Sequence, residues 1–275
     1  MTSSTGVDFR QPVLLLHSGG MSSRQWRKLG DVLGATHRVI APDFLGSGDN
    51  PLWPDDQPFE FSADVDVIER LVETLGEPVH VVGHSYGGLV AVTLARRVPA
   101  RIRSLSVYDP VAFGVLYGAD DTEGLRDLAR ASSDPVFTDV ARGGSDAWFE
   151  VFVDYWNGPG GWRGLTPAAR DSFLRVGRKV FYEVRSLMND RTPAPAYASI
   201  EAPSLFLGGE RSPPAARRVV ALLAAAFPRG RALTVDGAGH MGPLTHAAVV
   251  NEAVIEHIAS AFDPRLVAVK NAGAG

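Results

Sequence analysis

Short apolar runs recur along the chain, each closed by turn residues and most followed by a stretch in which apolar positions return every three or four residues. A continuous apolar run bounded by turns fits a strand buried on both faces, as in a parallel sheet covered by helices. The runs are Val13–Leu16, Arg38–Ala41, Val79–Val82, Ile102–Tyr108, Ser204–Leu207 and Ala232–Val235. Helical spacing occupies Ser23–Leu33, Ser62–Leu75, Tyr86–Arg97, Ala215–Ala226 and Ala247–Ala261. This alternation predicts a doubly wound, mostly parallel α/β domain with right-handed crossovers.

The alternation stops between residues 111 and 199. That stretch reads as helices interrupted by turns at Ser132–Pro135, Gly143–Gly144 and Gly158–Gly164. The division is therefore a core of residues 1–110 and 200–262, a helical insertion of 111–199 and a tail of 263–275. Both ends lack a clear period, and mobility is expected there. The insertion carries Trp148, Trp156 and Trp162. Such aromatic residues either form the insertion's own core or roof a pocket. Trp148, Trp156 and Phe113 are the candidates for the second role.

Composition narrows the class. With 275 residues, 45% hydrophobic and 21% charged, the chain is globular and long enough to bury a large core. A net charge of −4 without a basic patch argues against nucleic-acid binding. The absence of Cys removes disulfides, thiolate metal sites and a Cys nucleophile. No apolar run approaches the ~18 residues of a membrane span, and the N-terminus lacks the pattern of a leader. The expectation is a soluble cytoplasmic protein, monomer or homodimer, that acts on a small molecule away from membranes.

Gly83-His84-Ser85-Tyr86-Gly87 fits GxSxG, a weak signal alone in a chain with 29 Gly. Its position strengthens it, because an apolar strand runs into it and a helix runs out. A strand-to-helix turn this sharp presents one side chain at its tip, here Ser85. A serine hydroxyl needs a base to take its proton. Among seven His, His240 lies in the glycine-rich loop after the last strand, at the carboxyl edge where ligands bind in such folds. Its small neighbours suggest a ring free to swing over the Ser. His17 and His84 read as structural. The N–H groups of Gly19 and Tyr86 are the candidate donors to an oxyanion. None of the His residues makes a compact metal spacing, and the chemistry calls for no metal and no cofactor.

These segments, together with Leu14–Gly20 and Ala41–Gly48, resemble those of the α/β-hydrolase superfamily in order and spacing over residues 12–262. The chain is similar to the capped serine esterase, haloperoxidase-like and C–C-bond-hydrolase group. The resemblance implies an α/β-hydrolase fold with a helical cap, and a shortened N-terminal hairpin. It also implies a catalytic acid, commonly an Asp after the strand that matches Ser204–Leu207. Here that position holds Ser212. Some relatives carry the acid one strand earlier, and there this chain has Asp109, although Asp-Pro is also a common turn. Asp109 is the expected acid and Glu210 the alternative, while Asp43 is expected to organise its loop. The implied function is a serine hydrolase cleaving an ester or related acyl bond of a small to medium apolar substrate. Alternatives are a C–C-bond hydrolase or lactonase using the same residues, or a non-catalytic ligand-binding receptor. Activity that needs a neutral imidazole should fall below roughly pH 6–7.

Overall fold

The computed structural model describes residues 10–261. The segments expected to carry the shortened hairpin and the mobile ends lie outside those residues. Six strands form one sheet: β1 (Pro12–Leu16), β2 (Arg38–Ile40), β3 (Val79–His84), β4 (Ile102–Tyr108), β5 (Ser204–Gly209) and β6 (Gly230–Val235). Their order is β2-β1-β3-β4-β5-β6, and every pairing is parallel. Two strands outrun their apolar stretches at the carboxyl end. The pairs Gly83↔Val107 and His84↔Tyr108 extend β3, and Gly208↔Thr234 and Gly209↔Val235 extend β5. Ladder bonding continues there past the last large apolar side chain, toward the carboxyl edge.

The helices, in chain order, are α1 (Arg27–Leu33), α2 (Phe61–Leu75), α3 (Tyr86–Arg97), α4 (Gly114–Gly118), α5 (Thr122–Ala131), α6 (Pro135–Thr138), α7 (Asp146–Asn157), α8 (Pro167–Arg175), α9 (Gly177–Asn189), α10 (Pro214–Ala226), α11 (Gly242–Thr245) and α12 (Ala247–Ser260). The expected Ser23–Leu33 helix is a 3₁₀ turn over Ser23–Trp26 that passes into α1. Successive side chains on a strand point to opposite faces, and the core divides accordingly. Leu14 and Leu16 pack with α2, α3 and α10, while Val13 and Leu15 pack with α1 and α12. The sheet is thus the middle of three layers. The edge strand β6 departs from the expected burial, because it has a neighbour on one side only and several of its residues meet solvent.

All of α4–α9 lies between β4 and β5. Side-chain caps define the starts of several of these helices. Asp121 accepts from the Gly124 N–H, Ser145 from Trp148 and Thr166 from Ala169, the last with Pro167 in the first turn. Trp148, Phe149, Trp162, Val180 and Phe181 form a core belonging to the insertion. Among the described residues no helix is long and apolar enough to cross a membrane.

Candidate active site

The β3–α3 turn places Ser85 at φ 54°, ψ −116°, a conformation uncommon for any residue with a side chain. Such strain persists only where the surroundings fix it. The Ser85 N–H donates to the Tyr108 carbonyl, and the Ser85 carbonyl accepts from Leu89 in the first turn of α3. The flanking glycines answer a steric need. A Cβ on Gly83 would lie 2.4 Å from the Gly87 oxygen, and one on Gly87 would lie 2.3 Å from the Leu16 oxygen. The helix can fold back onto the sheet this closely only without those side chains.

His240 follows β6 and reaches Ser85 across the carboxyl edge. Its Nε2 is 2.9 Å from Ser85 Oγ, and its Nδ1 is 3.2 Å from Asp109 Oδ2. All three residues are buried. The loop carrying the imidazole is pinned rather than free to swing. His84 Nε2 donates to the His240 carbonyl, and Tyr108 Oη donates to the carbonyl of Gly239. Gln25 in turn donates to His84 Nδ1, which fixes that ring's tautomer. Burial, and then the neighbouring His240, hold the His84 pKa well below its ordinary value.

Asp109 immediately follows β4, at φ 41°. Its Oδ2 accepts both from His240 and from Ser212 Oγ, the latter at 2.5 Å. Ser212 therefore occupies the loop after β5 as a donor to the carboxylate on the neighbouring strand. Glu210 lies on the exposed side of the same loop and accepts the Gly237 N–H, an anchor for the turn that leads to His240. Asp43 accepts the Asp49 N–H within its own loop and the Ser23 N–H from the turn that follows β1. His17 donates from Nδ1 to the Ser18 carbonyl and accepts the Phe44 N–H at Nε2, and burial lowers its pKa to about 4.

A cavity of about 570 Å³ opens over Ser85 and His240. Gly19 and Tyr86 line it beside Ser85, and Phe113, Phe152, Val153, Leu187 and Met188 form apolar wall. Trp156 also lines it and stacks on the His240 ring, with centroids 3.8 Å apart and planes at 22°. Trp148 lies elsewhere. It is fully buried in the insertion's core, stacked with Phe152 and hydrogen-bonded from Nε1 to the Phe137 carbonyl, and it does not touch the cavity. Both tryptophans are on α7, but Trp156 is at the end that overhangs the sheet.

A buried charge cluster adjoins the cavity and escaped the sequence reading. Lys179 on α9 binds Glu183 one turn later and Asp64 on α2, the second at 2.9 Å. Tyr86 Oη donates to the same Asp64 oxygen at 2.7 Å. Lys and Glu four apart on an amphipathic helix look like a solvated surface pair, so the spacing carried no sign of burial. Desolvation, opposed by the nearby Lys179 ammonium, raises the Glu183 pKa to about 7.

A hydroxyl, an imidazole and a carboxylate in sequence, beside backbone donors and under an apolar roof, can activate the hydroxyl as a nucleophile. Comparison with known proteins follows the same line. A family model described as "Alpha/beta hydrolase family" matches residues 13–253. Lipase LipV of Mycobacterium tuberculosis is 29% identical over 68% of this chain and 76% of its own length. The pimeloyl-(acyl-carrier protein) methyl ester esterase of Neisseria meningitidis serogroup C is 37% identical over 43% of each chain, so that match spans less than half of the relative. Among solved structures, the enol-lactonase of Burkholderia xenovorans superimposes with a TM-score of 0.65 at 18% identity. That superposition covers 92% of each chain.

Proposed function

Because this chain belongs to the alpha/beta hydrolase family, we propose that it is a serine hydrolase that cleaves an ester or related acyl bond of a small to medium apolar substrate. Ser85 Oγ attacks the carbonyl carbon while His240 Nε2 takes its proton. Asp109 receives the Nδ1–H and stabilises the imidazolium that forms. The N–H groups of Gly19 and Tyr86 hold the oxyanion, and each donor contributes roughly 3 kcal/mol to the transition state. His240 then protonates the leaving group. A water activated by the same ring releases the acid from the acyl-enzyme.

The observation that carries this reading is the continuous hydrogen-bonded chain from Ser85 through His240 to Asp109, with its nucleophile on a strained turn and its far end tied by Ser212. The carboxylate that reaches the imidazole from the strand beside Ser212 supports catalysis over a non-catalytic receptor. The helical insertion serves as the cap: its α7 and α9 supply much of the apolar wall, which suits an apolar acyl group.

Fluorophosphonate labelling tests the proposal. The wild type is expected to label at Ser85 within minutes and to hydrolyse p-nitrophenyl esters of graded chain length. Ser85→Ala should do neither while melting at an unchanged temperature. Labelling that is as slow as for a bulk serine hydroxyl, with no ester turned over, would overturn the reading.

A further inference from the structure

One carboxylate faces this largely apolar cavity, and the hydrolytic steps above leave it without a task. Glu183 is the only Asp or Glu among the described residues that line the cavity, and it is 2% exposed. Its Oε1 is bound by Lys179. Its Oε2 accepts no hydrogen bond from the described residues and lies 3.0 Å from the point a Cβ on Gly19 would occupy. The free oxygen is thus on the Gly19 side of the pocket, next to the N–H proposed to hold the substrate's carbonyl oxygen.

The rest of the cluster is engaged. Asp64 Oδ1 accepts the Leu45 N–H, and its Oδ2 accepts from Lys179 and Tyr86. The Lys179 ammonium sits over the rings of Phe59 at 4.3 Å and Tyr86 at 5.1 Å. A carboxylate oxygen that has no protein donor and opens on a binding cavity can be satisfied by a ligand hydroxyl in place of water. Resting on the serine-hydrolase reading, we infer that the preferred acyl group is an apolar chain with a hydroxyl on the carbon next to the scissile carbonyl, and that Glu183 Oε2 accepts that hydroxyl's hydrogen bond. Glu183 is then a specificity-determining residue, and Lys179 holds it in place.

The groups facing Glu183 are Lys179 on its own helix, Asp64 from α2 and Tyr86 from α3, and His17 from the end of β1 interacts with Lys179 and Asp64 of the same cluster. Ser85 and His240 line the same cavity. With a pKa of about 7, Glu183 changes charge in the neutral range, and His17 stays neutral there. A hydroxyl donor binds the carboxylate form, so the preference strengthens as pH rises through about 7.

The test compares kcat/KM for ethyl 2-hydroxyhexanoate and ethyl hexanoate at about pH 6 and about pH 8. The ratio cancels pH effects on the hydrolytic steps that both esters share. The expected ratio in the wild type is about tenfold or more in favour of the hydroxy ester, larger at the higher pH, since a hydrogen bond to a charged acceptor is being read. Glu183→Leu should bring the ratio to about one. Glu183→Gln, which keeps an acceptor that does not titrate, should retain part of the preference and lose its pH dependence. A wild-type ratio near one, or a preference that survives in Glu183→Leu, overturns the inference. Binding of 3-hydroxyoctan-2-one and octan-2-one, followed through Trp156 fluorescence, needs no turnover. Tighter binding of the hydroxy ketone without cleavage of either ester would leave Glu183 in its role and sink the hydrolase reading alone, whereas equal affinities would sink the role of Glu183.

Discussion

The carboxyl edge of the sheet and the helical insertion meet over one cavity and contribute to it differently. At the edge, backbone geometry does the placing. Ser85 and Asp109 stand at positive φ on adjacent loops, and two hydrogen bonds pin the main chain around His240. On the insertion, side chains do the placing, through aromatic packing and a buried ion cluster. A position set by backbone strain admits few residue types, whereas an apolar wall tolerates exchange of one large side chain for another. Changes at the edge should therefore act on rate through the reacting groups, and changes in the insertion should divide between stability and substrate fit.

The sharpest way to break that contrast is at Asp109. Asp109→Asn should lower kcat on the order of 10⁴-fold, since the imidazole loses its charge partner and the amide NH2 can hold it in the wrong tautomer. Glu210→Gln should cost little, because Glu210 anchors the Gly237 turn and lies away from the ring. Ser212 Oγ is 2.5 Å from the Asp109 carboxylate, so adding Ser212→Asp to Asp109→Asn is expected to restore part of the lost rate. Steady-state kinetics on one ester decides it. A full effect of Glu210→Gln, with none at Asp109, would move the acid to the other loop.

Next in size is a change confined to the insertion. Trp148→Ala should destabilise the protein by about 3–5 kcal/mol through loss of buried contacts and a cavity. The ring is fully buried among Phe149, Phe152 and Phe181. Urea unfolding reads the loss, and kcat measured well below the melting temperature should stay within a few-fold of the wild type.

These two regions were unequally legible in the sequence. The edge announces itself, because strand runs end in glycine turns and each turn carries one residue of chemical note. The carboxylate that meets His240 could be placed by contrast, with a Ser where one carboxylate is expected and an Asp one strand earlier. The insertion offers no such punctuation. Trp148 and Trp156 lie on one helix with the same apolar character, and a pocket wall and a core demand the same residue types. Periodicity cannot separate them. Lys179 and Glu183 were hidden for the opposite reason: their spacing suits a solvated helix face, and only the docking of α9 against α2 and the turn carrying Ser85 buries them.

Acid titration probes the packing that holds both regions. Burial lowers the pKa of His17 and of His257 to about 4 in the folded state, against 6.5 for the free ring. Above 6.5 both states are neutral at these rings, and their contribution to stability is fully present. As pH falls from 6.5 toward 4, the unfolded chain takes up protons that the folded chain refuses, so stability is lost through that window. Glu183 acts in the other sense. Its folded pKa is raised from 4.5 to about 7, so its contribution is full below 4.5 and is lost as pH rises to about 7. His80 and His84 are shifted the same way, so the imidazoles outnumber the carboxyl, and lowering pH from about 6.5 to about 5 should reduce stability by about 3 kcal/mol or more. Urea midpoints across this range check the sign, and a flat profile would mean that the rings are not buried as neutral species.

The smallest effect falls where the two regions touch. Trp156 belongs to α7 of the insertion but stacks on the imidazole of the edge, half-buried and centred 3.8 Å from it. Its loss removes no core contact of the kind Trp148 makes, so stability should change by about 1 kcal/mol or less. What it removes is a flat surface stacked on the ring that meets Ser85 and Asp109, and an aromatic face that would attract the imidazolium of the proposed attack, an interaction of about 0.5–2 kcal/mol. Trp156→Ala is therefore expected to lower kcat about tenfold with a smaller change in KM, and Trp156→Phe, which keeps a stacking face, should recover most of it. If Phe rescues nothing while KM rises in both variants, the indole acts as substrate wall alone, and the insertion contributes fit to the site without touching the chemistry of its base.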